Sequence, residues 1–232
     1  MIKLKQFETK KLHYGKYLYK LALANPFASW FRTEFQKGGD LKLLKTHIDK
    51  YQAVYDMGQP MFKSVYRSEL PITIDEFLDA KDLYHQLLDA DDYKIRVERW
   101  TGFCLYTNDK DFLLNIAKLM RVSAREFWEP RTDTIDLLLN EKNILLVDKI
   151  PEHPIKVTFN YKKIDPAFSS WLLANKDKST AGEVTISNIS HGYASGNYVF
   201  VRDERVLTMI QMIVGHNIQR IERLVYSGNI DK

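Results

Sequence analysis

The chain has 232 residues, enough to bury a large core as one domain or as two of about 100 residues each. Hydrophobic residues at 45% and charged residues at 28%, with no low-complexity tract, exclude a disordered or fibrous protein. A net charge of +4 leaves any surface for an anionic partner to local clustering, and the single cysteine, Cys104, excludes an internal disulfide and a Cys-rich metal site.

The N-terminal stretch MIKLKQFETKKLHYG is charged and lacks the apolar centre of a signal peptide, and no run of about 18 apolar residues follows. The expectation is a cytoplasmic protein in a reducing compartment, with no membrane segment. Frequent Lys, Asn, Ile, Tyr, Phe and Asp suit an AT-rich genome of the kind many phages carry, so a viral source is expected. Residues 12–23 alternate, with Tyr17, Tyr19, Leu21 and Leu23 on one side and Lys16, Leu18, Lys20 and Ala22 on the other, which predicts a half-buried strand. Asn25-Pro26 breaks it, and SWFRTEF is a short helix or irregular segment ended by Gly38-Gly39. Asp40 is placed to cap a helix with apolar residues at Leu41, Leu44, Ile48, Tyr51 and Tyr55, ending at Gly58 and Pro60. Thr73 and Glu76 form a capping-box pattern for the next helix, which runs to about Asp89.

Tyr93 to Trp100 alternates again and turns at Thr101-Gly102 into Phe103 to Thr107, predicting a hairpin. A helix over Lys110 to Met120 and a strand over Arg125 to Trp128 complete the first half. Between Arg131 and Pro154, IDLLL and NILLV admit a hairpin across NEKN or one irregular helix, read as connector plus edge structure. A strand from Ile155 to Tyr161 follows, then a helix opened by Asp165-Pro166. Strands at Val184 to Ile189 and Tyr198 to Val201, a helix at Asp203 to Gly215 and a strand at Ile218 to Tyr226 finish the chain.

Gly102 to Pro130 and the stretch from Gly196 onward match in pattern at a shift of 94 positions without gaps: Leu105 falls on Val199, Tyr106 on Phe200, Asp109 on Asp203, Leu113 on Leu207 and Phe127 on Ile221. Both halves then read strand, helix, strand, strand, helix, strand. The expected fold is α+β, two tandem ferredoxin-like βαββαβ units with antiparallel sheets, the first carrying an enlarged helical crossover. The expected boundaries are residues 1–130, a connector or extra hairpin over 131–154, and residues 155–232.

In such a unit the helices cover one sheet face. Alternation then turns Val199 and Val201 to the helices and Tyr198 and Phe200 outward, and the repeat turns Cys104 and Tyr106 outward with them. Lys16, Lys20, Lys94 and Arg96 join Tyr106, and Lys156, Thr158 and Asn160 join the second pair. Rings beside cations suit single-stranded nucleic acid, since bases stack on the rings for roughly 1–3 kcal/mol each and phosphates meet the cations. The expectation is non-catalytic binding of RNA or single-stranded DNA through Lys16, Lys20, Lys94, Arg96, Tyr106, Lys156, Asn160, Tyr198 and Phe200. The same aromatics would be core if the faces were packed on other structure, and the alternative is a protein-interaction or assembly module, in which the sheet or its edges pair with a protein partner or a second copy.

The segment GNYVFVR, from Gly196 to Arg202, resembles the RNP1 motif of RNA recognition motifs, a glycine followed by spaced aromatics on the third strand. The resemblance implies base stacking by Tyr198 and Phe200. The tandem arrangement also resembles CRISPR-type endoribonucleases, which use His, Tyr or Lys to activate a ribose 2'-hydroxyl; His191 in the loop SHGYASGN and His216 after Gly215 are the positions to which that implication attaches. Asp109 and Asp203 begin helices, where an acidic residue complements the dipole; a Mg²⁺ pair would need a further carboxylate that neither first strand supplies. The six histidines lack metal-ligand spacing and no nucleotide-binding fingerprint occurs, so no cofactor and no metal are expected.

Overall fold

Alternating apolar and polar residues build two five-stranded sheets, one in each half of the chain. The computed structural model describes residues 4–31, 41–65, 68–98 and 101–229. The chain divides into two units, Met1–Arg131 and Thr132–Lys232, and the architecture is α+β with mainly antiparallel sheets.

The first unit runs β1 (Lys5–Glu8), β2 (Tyr19–Ala24), a 3-10 turn at Pro26–Phe31, α1 (Lys42–Asp56), the hairpin β3 (Met61–Val65) and β4 (Ser68–Ile72), α2 (Ile74–Leu88), β5 (Lys94–Val97), β6 (Gly102–Thr107), α3 (Lys110–Leu119) and β7 (Ala124–Glu129). Its sheet order is β1-β7-β2-β6-β5; β1 pairs parallel with β7 and every other pairing is antiparallel. On the helix side Leu21, Leu23, Phe103, Leu105 and Phe127 are buried with Phe27, Phe31, Leu83, Leu113 and Ile116.

The second unit runs α4 (Ile135–Asn140), β8 (Ile144–Val147), β9 (Ile155–Phe159), α5 (Ala167–Ala174), β10 (Ser179–Thr180), α6 (Glu183–Ser190), β11 (Tyr198–Val201), α7 (Glu204–Val214) and β12 (Ile218–Tyr226). The order β10-β11-β9-β12-β8, with β8 parallel to β12, has the same form as the first sheet, including the added edge strand beside the last one. Its core joins Ile155, Val157, Phe159, Val199 and Val201 to Phe168, Leu172, Ile189, Val206 and Ile210. The N-caps Asp109 and Asp203, the first residues of α3 and α7, and the first residues of β7 and β12 all stand 94 positions apart. Both aspartates accept the cap bond, from the N–H of Phe112 and of Val206, and Thr73 with Glu76 forms a reciprocal capping box.

Several expectations need correction. The strand read over 12–23 begins only at Tyr19, because Tyr14 and Gly15 adopt φ of 56° and 67° and turn the chain back on itself, bridging His13 to Tyr17. Val184 to Ile189 is helix α6: Thr185 and Ile189, four apart, are its buried residues, and the strand place is taken by Ser179–Thr180. The strand from Ile155 stops at Phe159, so Asn160 lies beyond the sheet. The first crossover holds the β3–β4 hairpin as well as helices. Residues 135–147, read as connector plus edge structure, form a helix and an edge strand of the second sheet rather than a hairpin or one irregular helix. The cap expected of Asp40, the glycine pair at Gly38-Gly39 and the end of the strand at Trp100 lie outside the described residues.

Candidate nucleic-acid interface

On the helix-free face of the first sheet, cross-strand register aligns five residues in one row. Phe7 pairs with Trp128, Trp128 with Lys20, Lys20 with Tyr106, and Tyr106 with Lys94. Adjacent strands are about 4.8 Å apart, so the row crosses the whole sheet over roughly 19 Å. Phe7 stacks on Trp128 with ring centroids 4.7 Å apart, and Lys20 Nζ lies 4.9 Å from the Trp128 ring. Arg96 stands one pleat further along β5, opposite Cys104.

Tyr106 does project to this face, but it is 4% exposed, which overturns its expected role as an open platform. The turn at His13–Tyr17 lies over it. His13 and Tyr14 contact its ring at 5.2 and 5.0 Å, and Tyr17, Cys104 and Tyr106 form a small buried cluster with Ala22. Above Tyr106 the ring presented to solvent is Tyr14, 49% exposed, as Phe7 is further along the row at 39%; the Tyr14 hydroxyl accepts from Arg96 Nη1 at 3.5 Å, and Lys94 Nζ lies 4.6 Å from its centroid. Lys16 sits on the same turn, bonded to Asp92 at 2.6 Å. Burial, reinforced by Lys20 and Lys11, holds His13 down to about 4, so it is neutral at pH 7. Burial also pushes the Cys104 thiol up to about 11, which leaves it protonated and inert at neutral pH.

On the second sheet Phe200 pairs with Lys156 and Tyr198 with Thr158. Val199 and Val201 are fully buried against the helices, while Tyr198 is 41% exposed and Phe200 half-buried, the two rings meeting edge to face at 5.3 Å. Lys156 Nζ lies 4.1 Å from the Tyr198 ring. Asn160 is not part of this face; it ties loops together by donating to the His216 carbonyl and accepting from Lys162 N–H. Lys20 and Lys156 occupy equivalent places, each on the central strand opposite Tyr106 or Phe200, and each rests over an aromatic ring.

The chemistry available is therefore cation and π-face, with hydroxyls beside them. His191 has Nδ1 2.7 Å from the Ser187 carbonyl, closing the end of α6. Among the described residues no group of three or more His, Cys, Asp or Glu is arranged to hold a metal ion, and no helix is long and apolar enough to cross a membrane. The sequence pattern singles out none of Phe7, Tyr14 and Trp128 as site residues. Gly15 inside an alternating run is the signal that marks the turn, whereas the pairing of β1 beside β7 has no local signal. Comparison with known proteins finds no matching family model, no matching curated protein and no matching solved structure.

Proposed function

We propose that the chain is a tandem of two ferredoxin-like units, each extended by a strand parallel to its last, and that it binds single-stranded RNA or DNA without catalysis. The observation that carries this reading is the set of ring–cation pairs on the sheet faces turned away from α3 and α7: Tyr14 with Lys94 and Arg96, Trp128 with Lys20, and Tyr198 with Lys156. A lysine over a ring holds its charge within reach of the same surface on which a base stacks. When a base takes the ring, the flexible four-carbon stem lets the ammonium move to the neighbouring phosphate. Stacking is then worth roughly 1–3 kcal/mol per base, and each phosphate contact adds salt dependence. The strand order of each sheet and the 94-residue repeat support the tandem part of the reading.

Fluorescence anisotropy with labelled oligo(U) and oligo(dT) over a salt series tests it. The expected result is binding that weakens steeply with salt, with the log–log slope reduced by about 1 for each of Lys20→Ala, Lys94→Ala and Lys156→Ala. Absence of binding to both oligomers at low salt overturns the proposal. A second reading, a protein-assembly module, is favoured by α7, whose Met209, Met212 and Ile213 are exposed on one apolar helix. Sedimentation that stays monomeric at high concentration, with no oligomer lost on Met212→Lys, counts against self-assembly through that face.

A further inference from the structure

The His13–Tyr17 turn brings to the first face a ring that the strand pattern does not supply. Tyr14 and Gly15 are consecutive left-handed residues, as a type I′ turn requires, and Lys16 N–H donates to the His13 carbonyl at 3.1 Å. Asn, Asp or Gly suits the first of these positions; a bulky L-residue there costs roughly 1–2 kcal/mol. An aromatic residue therefore does nothing for the turn. What it secures is position: the ring stands edge-on to Tyr106 at 5.0 Å, its hydroxyl is bonded to Arg96, and Lys94 lies over it, while half of its surface remains open to solvent. Tyr106 is buried and cannot itself meet a ligand without loss of these contacts.

We infer that Tyr14 is a base-stacking residue of the first unit, carried on Tyr106 as its buried support, with Lys94 and Arg96 taking the phosphates that flank the stacked base. The inference rests on the nucleic-acid reading above and names the subsite and its ligand, an unstacked base of a single strand together with its adjoining phosphates. An acidic peptide would use the two cations but has no need of an exposed ring between them. A duplex keeps its bases stacked internally and offers none to the ring.

The test uses the full chain with labelled oligo(U) and oligo(dT), a duplex of the same length and poly-glutamate. Tyr14→Gly removes the ring and relieves the left-handed strain, which offsets the lost contacts to Tyr106 and Arg96, so its melting temperature is expected to stay within a few degrees of that of the parent. Its affinity for the single strands is expected to fall about 5- to 150-fold, the equivalent of one lost stacking contact. Tyr14→Trp, which keeps a π-face, is expected to bind within about threefold of the parent. Parent binding that is unchanged in Tyr14→Gly overturns this subsite and leaves the nucleic-acid reading standing. Poly-glutamate or duplex bound as tightly as the single strands, with the same dependence on Tyr14, also overturns it. Failure of the parent to bind either single strand removes the reading and the subsite together.

Discussion

Asp79 shows how much a single side chain decides. It lies on α2 at 1% exposure, where Oδ1 accepts from the N–H of Arg121 at 2.7 Å and Oδ2 accepts from those of Val122 and Ser123 at 2.9 and 2.8 Å. The Arg121 guanidinium adds an ion pair. The carboxylate thus satisfies three backbone donors in the loop between α3 and β7 and sets where β7 begins. Asp79→Ala leaves those donors without their acceptor, that of Ser123 buried and the other two partly so, with an expected loss of about 3 kcal/mol in urea unfolding; Asp79→Asn, which keeps one acceptor oxygen, is expected to fall between. None of this is legible in the sequence, because the partners lie more than 40 positions away and an aspartate within an amphipathic helix reads as a solvated residue. Tyr106 and Tyr14 make the same point at the candidate site. Alternation assigns the face of Tyr106 correctly, but whether that face is open depends on a turn nearly 90 residues earlier in the chain.

At the scale of elements, local signals performed according to how local their cause is. Helix starts are governed by residues within one turn, and Thr73, Asp109 and Asp203 all cap as their spacing predicts. Asp109→Ala and Asp203→Ala are each expected to lower stability by about 1 kcal/mol, by similar amounts because the cap geometry repeats, as measured by thermal or chemical unfolding of each variant. Strand identity is less local. VTISNIS is rich in β-branched residues yet folds as α6, since its buried residues Thr185 and Ile189 fit helical spacing against the second core, which outweighs a propensity of a few tenths of a kcal/mol per residue. In the first unit, the alternation of residues 12–23 continues across a turn because Tyr17 and Leu18 are buried by packing without being in the strand.

For the whole molecule, every strand pairing described falls within one unit, and each unit has its own core. The second begins before β8, whose Ile144 and Leu146 are buried and whose backbone covers the edge of β12. A protein of residues 132–232 is therefore expected to unfold in one cooperative transition. Residues 155–232 lack β8 and lose about 3 kcal/mol or more from those two side chains and the exposed edge, readable as a melting temperature lower by roughly 12 °C or more. Equal melting of the two would show that β8 contributes nothing. By itself the sequence determined the helix caps and the face to which Tyr198 and Phe200 project, because each is carried by residues close together in the chain, and the repeat at 94 positions, because each copy is a local pattern that can be laid over the other. Only the tertiary structure decided that Tyr106 is covered, that Tyr14 stands in the open above it, and that Phe7, Trp128, Lys20, Tyr106 and Lys94 share one row. Those facts depend on register and on aromatic burial between distant segments, which no spacing along the chain encodes.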